Sequence, residues 1–173
     1  MNSANLPAIS GSYALQLGLT TACRLQVGRL GEFDLPAGEY IYLGSARGPG
    51  GLSARLSRHL AGNQERLHWH IDYLRKIAIP GAICYLAGEP TRPPLECAWS
   101  QGLAELPGAS IPAAGFGASD CRSGCIAHLI HFTSQGEPQT PLLHQLDIRM
   151  LLARIAGAPA AALGGWRLYP ALG

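Results

Sequence analysis

The chain has 173 residues, 47% of them hydrophobic and 14% charged, which suits one folded domain with a sizeable core and excludes a disordered chain. A formal net charge of +2 excludes a polycation that would hold nucleic acid by bulk charge alone. Of the 13 basic residues only Lys76 is a lysine, and arginine is the better bidentate partner for phosphate. Five cysteines (Cys23, Cys84, Cys97, Cys121, Cys125) are odd in number and lack framework spacing, so no disulfide scaffold is expected. Residues 1–10 carry neither a basic start nor a long apolar run, and no stretch of about eighteen apolar residues follows. The expectation is a cytoplasmic protein with no membrane partner.

Taken in order, Tyr13-Ala14-Leu15-Gln16-Leu17 lies between glycines and reads as a strand. Cys23-Arg24-Leu25-Gln26-Val27 alternates polar and apolar residues like a half-exposed strand, and residues 31–38 read as a connector. Tyr40-Ile41-Tyr42-Leu43 is a buried strand with glycine on both sides, and Gly48-Pro49-Gly50-Gly51 forces a turn. A helix follows, with Leu52, Leu56 and Leu60 as its apolar stripe. Arg55 and His59 border that stripe, and Arg58 points away from it, towards water. Leu67, Ile71, Leu74 and Ala78 predict a second helix over 67–78, with Asp72 pairing Arg75 and Lys76 on its surface. Residues 81–87 read as a central strand. Pro93-Pro94 opens a third helix with Leu95, Trp99, Leu103 and Leu106 buried. A long loop over 108–125 and a strand over 128–132 come next. Leu142, Leu143, Leu146, Met150, Leu151 and Ile155 predict an amphipathic helix over 141–156.

The fold class predicted is α/β: a small, mostly antiparallel mixed sheet flanked by helices, in residues 1–135. Residues 136–173 are expected to form a C-terminal helical extension packed on the same domain.

Tyr42-Leu43-Gly44, continued by Ser45-Ala46 and followed by a helix carrying Arg55, resembles the second half of the GIY-YIG nuclease motif. Gly11-Ser12-Tyr13 resembles its first half, with serine where the family name has isoleucine. The chain looks closest to an uncharacterised branch of that superfamily, described only as a domain of unknown function. It shares with that branch the His68-Trp69-His70-Ile71-Asp72-Tyr73-Leu74 segment and the later Gly115 to Cys121 segment. The four segments span roughly residues 10–133. Tyr13 and Tyr42 stand further apart than in compact modules of this kind. The additional strand is expected to lie between them as a hairpin or meander, leaving the tyrosines free to meet.

Hydrolysing a phosphodiester needs an activated water, neutralisation of charge on the phosphoryl oxygens and help for the leaving oxygen. The resemblance implies one divalent metal, Mg2+ or Mn2+, held by a glutamate in a late helix, and Glu96 is the candidate. Arg55 would stabilise the phosphoryl group, Tyr13 or Tyr42 would orient or deprotonate the water, and His59 is a further candidate for proton transfer. Arg47, Arg58 and His70 are candidate nucleic-acid contacts, while Asp120 and Cys121 are expected to line the same cleft. Taken singly, each has a plainer role: a carboxylate favoured in a helix's first turn, strand aromatics, a solvated arginine. Their order within the motif is what favours a site. Asp120, Cys121, Cys125, His128 and His131 also offer zinc-type donors, but Cys-x3-Cys-x2-His is not a standard finger, and packing is the preferred reading. Gly48 to Gly51 lacks the lysine of a phosphate-binding loop, and Gly115-Phe116-Gly117 lacks a dinucleotide fingerprint, so no nucleotide cofactor is expected.

The function predicted is a metal-dependent endonuclease acting on nucleic acid, DNA ahead of RNA. The alternative is a non-catalytic module of the same fold that binds nucleic acid or another partner. A third reading is a small-molecule binder using the glycine-rich loop.

Overall fold

The computed structural model describes residues 6–61, 65–88, 92–133, 148–157, 162 and 164–167. Strand β1 (Gly11–Leu19) is followed by β2 (Cys23–Val27), β3 (Gly31–Leu35) and β4 (Gly38–Ala46), then helix α1 (Gly51–Ala61). Next come α2 (His70–Leu74), β5 (Ile79–Ala87), α3 (Leu95–Ala104), β6 (Ala109–Ser110), β7 (Leu129–Phe132), α4 (Ile148–Ala156) and β8 (Gly164–Arg167). The main sheet runs β6-β7-β4-β1-β5-β8, and every pairing described in it is antiparallel. The expectation of a small sheet flanked by helices, with a further helix near the C-terminus, holds.

Both faces of this sheet are covered, and the period of two along each strand explains how. Tyr13, Leu15 and Leu17 of β1 and Tyr40 and Tyr42 of β4 join one core with Leu52 and Leu56 of α1 and Ile71 and Leu74 of α2. The alternate residues Ala14, Ile41 and Leu43 join a second core with Leu95, Trp99 and Leu103 of α3 and Leu152 of α4. The Trp99 indole donates a 2.9 Å hydrogen bond to the Leu152 carbonyl and fixes α4 on α3. Burying strands on both faces leaves apolar runs rather than strict alternation, which is why β1 and β4 stand out in the sequence.

Several expectations need correction. The additional strand does not enter the main sheet: β2 pairs with β3 in a separate two-stranded sheet, and residues 31–35, read as connector, are a strand. Excluding that hairpin lets β1 and β4 pair directly, with Tyr13 opposite Gly44 and Leu15 opposite Tyr42. The second helix is shorter than predicted, and Pro80 and Gly81 lie inside β5 instead of ending a helix. Asp72 is buried (3% exposed) and pairs with Arg58 at 2.7 Å, not with Arg75 or Lys76. Arg58 therefore turns inwards to a carboxylate instead of meeting water. Arg75 instead donates to the carbonyls of His59 and Ala78. On α4, Met150 is 56% exposed while Leu152 and Ala153 are buried, so the apolar face is rotated from the predicted stripe. Residues 141–147 of that predicted helix lie outside the described residues.

Candidate functional site

A cleft of about 750 Å3 opens where β1 begins and β4 ends, bounded by α1, the segment before α2, the first turn of α3 and the loop before β7. Tyr13, Tyr42, Arg47, Arg55, His70, Glu96, Asp120 and Cys121 all line it. The pairing of β1 with β4 brings the Tyr13 and Tyr42 rings to 6.3 Å between centroids. Gly44 is what makes room: a Cβ there would lie 2.5 Å from the Tyr13 hydroxyl oxygen and 2.6 Å from Cζ. The glycine that closes Tyr42-Leu43-Gly44 thus accommodates the other tyrosine's ring.

The Tyr13 hydroxyl and His59 Nε2 share a buried 2.7 Å hydrogen bond, which carries β1 chemistry into α1. His59 Nδ1 is buried and has no hydrogen-bond partner among the described residues. Burial, reinforced by the Arg55 charge, pushes the His59 pKa down to about 3, so the imidazole is neutral at physiological pH. Burial also raises Tyr13 well above its ordinary value of 10.0, with Tyr42 adding to the rise and Arg55 opposing it. Tyr42 is pushed up to about 12, again mainly by burial. Both shifts oppose transfer of the phenol proton from Tyr13 to His59. Both tyrosines stay protonated. They can orient a group by hydrogen bonding, and the expected role of water deprotonation has no support in these environments.

Arg55 stacks on Trp69, its guanidinium carbon 4.0 Å from the ring centroid, and Arg58 lies 4.7 Å from the same centroid. Among the described residues no carboxylate forms an ion pair with Arg55, unlike Arg47 and Arg58. The Trp69 ring is thus contacted by two guanidinium groups. Asp72 accepts the backbone N–H groups of His68 (2.9 Å) and Trp69 (3.0 Å), which fixes Trp69 in place. Burial opposes ionisation of Asp72, but those two N–H groups and Arg58 outweigh it and hold its pKa below the ordinary value.

The loop before β7 forms the facing wall. Gly115 N donates to Ile126 O and His128 N to Phe116 O, each at 2.7 Å, and Leu43 N donates to His128 O at 2.9 Å. Phe116 packs edge-on against Tyr42, with centroids 6.0 Å apart. Gly117 adopts φ +71°, and a Cβ there would sit 2.8 Å from Tyr42 Cε2. Its N–H donates to His70 Nδ1 at 2.9 Å, so neutral His70 carries its proton on Nε2 and is a donor. Desolvation lowers the His70 pKa against the opposing pull of Asp120.

Glu96 does lie in the cleft wall, in the first turn of α3, but it is not poised for a hard cation. It is 6% exposed, and both carboxylate oxygens are engaged: Oε1 accepts from Arg47 Nη2 and Oε2 from Ser12 Oγ, each at 2.9 Å. Mg2+ and Mn2+ favour carboxylate and water oxygens with room for octahedral coordination, and an arginine-paired glutamate does not fit. The metal-type cluster among the described residues is a different one. Cys97, Cys121, Cys125 and His128 bring one donor atom each to within 4.8 Å of one another. Three thiols and an imidazole suit a zinc-type ion, and this corrects both the magnesium or manganese expectation and the choice of Glu96 as ligand. Cys121 also packs against α3, through Cys97, and lines the cleft with Asp120, as the packing reading expects. The sequence grouping was also wrong in membership: His131 lies on β7 against Ser110 (3.0 Å) and Ala37 O (3.2 Å), and Cys97 takes the fourth place.

Among the described residues no helix is long and apolar enough to cross a membrane. Comparison with curated proteins finds no match, and comparison with solved structures finds none either. A protein-family profile matches residues 12–150, from the start of the first tyrosine strand into α4. The chain belongs to the family described as Domain of unknown function DUF123.

Proposed function

We propose that this protein is a GIY-YIG-like phosphodiesterase acting on nucleic acid, DNA ahead of RNA, at the cleft between the tyrosine strands and α1. The observation that carries the reading is the convergence of Tyr13, Tyr42 and Arg55 on one cleft, in the roles the motif resemblance assigns them. Arg55 offers a cation with no carboxylate partner among the described residues, held by Trp69 at the cleft surface. A phosphate oxygen is the natural partner for such a fork. The Arg47 guanidinium uses one nitrogen on Glu96 and is 48% exposed, so a neighbouring phosphate can share it. Tyr13, Tyr42 and the Nε2–H of His70 are neutral donors that orient phosphoryl oxygens and the attacking water. Arg58 serves the site indirectly, through Asp72 and Trp69, and no longer counts as a direct nucleic-acid contact.

A specific observation favours a second reading. Glu96, the carboxylate the resemblance assigns to the metal, is ion-paired, both tyrosines are pushed towards the neutral form, and among the described residues Asp120 is the other carboxylate lining the cleft. A module that binds the nucleic-acid backbone without cutting it would need nothing more. Labelled linear, nicked, flapped and branched DNAs, incubated with the full chain across a range of divalent cations, separate the two. Cleavage lost in both Arg55→Ala and Tyr13→Phe, with folding intact, supports hydrolysis. Binding without cleavage under every condition leaves the binding module, and neither binding nor cleavage removes both.

A further inference from the structure

The cysteine–histidine cluster is independent of the phosphodiester reading, because its chemistry is soft where phosphate chemistry is hard. Cys97 comes from the first turn of α3, Cys121 and Cys125 from the loop, and His128 from the residue before β7. Cys97 Sγ lies 3.6 Å from Cys121 Sγ and 3.6 Å from His128 Nε2. A tetrahedral zinc with Zn–S near 2.3 Å and Zn–N near 2.0 Å has edges of about 3.5–3.8 Å. All five cysteines of the chain are free, so no disulfide accounts for the convergence. Cys97 and His128 are buried. His128 is also held by its backbone, whose N–H donates to Phe116 O at 2.7 Å and whose carbonyl accepts from Leu43 N at 2.9 Å.

We propose that Cys97, Cys121, Cys125 and His128 bind one Zn2+ in a closed, structural Cys3His site. Four protein ligands leave no open position for water or substrate, so the ion's role is mechanical. Binding converts the three thiols to thiolates, releases their protons, and ties the loop to α3 by metal–ligand bonds. Without the metal, that junction rests on hydrogen bonds such as Ser100 Oγ to Ala127 O and Gln101 Nε2 to Ser123 O. The same loop carries Phe116 against Tyr42 and Gly117 against His70, and α3 carries Glu96. The metal therefore fixes the separation of two cleft walls.

Full-length protein produced with zinc supplementation and purified under reducing conditions tests this by metal analysis. The expected result is one zinc per chain, with Cys97, Cys121 and Cys125 unreactive towards a thiol reagent until a chelator is added, and Cys84, buried in the core, unreactive in the folded protein throughout. Cobalt substitution should give thiolate-to-cobalt charge transfer and intense tetrahedral visible bands. Cys97→Ser should lose the stoichiometric metal. Because that variant is buried and could fail to fold, Cys121→His supplies a second arm, keeping four donors, the zinc, and an altered cobalt spectrum. Metal-free protein with Cys121 and Cys125 immediately reactive, weak octahedral cobalt bands, or a Cys97–Cys121 disulfide as the stable form would each overturn the site. So would undiminished zinc in Cys97→Ser.

Discussion

Acidification should destabilise this protein through one histidine, and the size of the effect can be worked out. His59 is 2% exposed, and its pKa falls from an ordinary 6.5 to about 3 on folding, with burial the largest cause and the Arg55 charge next. The unfolded chain therefore binds the extra proton between those values, and the folded chain does not. Stability from this group is fully present above about pH 6.5 and is lost as the pH falls towards 3. Between about pH 7 and about pH 5.5 the loss from His59 alone comes to about 1.2 kcal/mol. His70, His128 and His131, whose pKa values are also lowered by desolvation, titrate in the same window. The comparison must therefore be with His59→Gln, which keeps a polar group for the Tyr13 hydroxyl but cannot titrate. Urea unfolding of both proteins at the two pH values should show the wild type losing about 1.2 kcal/mol more than the variant. Equal losses would mean that His59 is solvated or charged in the folded state, and would refute its placement as a buried neutral partner of Tyr13.

Other substitutions probe the frame around the cleft. Asp72→Asn removes the charge facing Arg58 but keeps an acceptor for the His68 and Trp69 amides. It should cost about 2–3 kcal/mol in chemical denaturation, less than a fully buried pair because Arg58 is part-exposed. Gly44→Ala places a methyl 2.5 Å from the Tyr13 hydroxyl oxygen and should destabilise by about 1–3 kcal/mol while weakening nucleic-acid binding. Arg47→Ala leaves Glu96 buried with Ser12 as its remaining side-chain hydrogen-bond partner among the described residues. The loss in stability at neutral pH should be larger than for Arg47→Ala/Glu96→Gln together, measured as a double-mutant cycle.

The parts of this structure that the sequence disclosed are those carried by local pattern. Tyr13 and Tyr42 sit on β-forming runs bounded by glycine, and the register that sets Tyr13 opposite Gly44 and Leu15 opposite Tyr42 puts both rings on one face. Arg55 and His59 followed from helix angle alone, and both face the inner side. What stayed hidden depends on partners distant in the chain. Glu96 meets Arg47 across 49 positions, and no local feature announces that its carboxylate is already neutralised. Cys97 meets Cys121 across 24 positions, so Cys-x3-Cys-x2-His is one ligand short in the local sequence and His131 is the nearer candidate there. Arg58 was placed correctly on the helix surface, but that surface is covered by the Trp69 and Asp72 segment. The β2–β3 hairpin leaves the main sheet although its alternation is that of any half-exposed strand, because pairing order is not written in periodicity.

The central claim, that the cleft engages the phosphates of nucleic acid, is tested most directly by a salt titration. A fluorescent DNA oligonucleotide would be titrated with wild type and with Arg55→Ala across a series of salt concentrations. Binding should weaken linearly on a log–log plot, and removing one phosphate contact should lower affinity and reduce the slope by about one unit. The account is contradicted if wild type shows no salt-dependent binding, or if Arg55→Ala, folded as judged by circular dichroism, binds with unchanged affinity and slope.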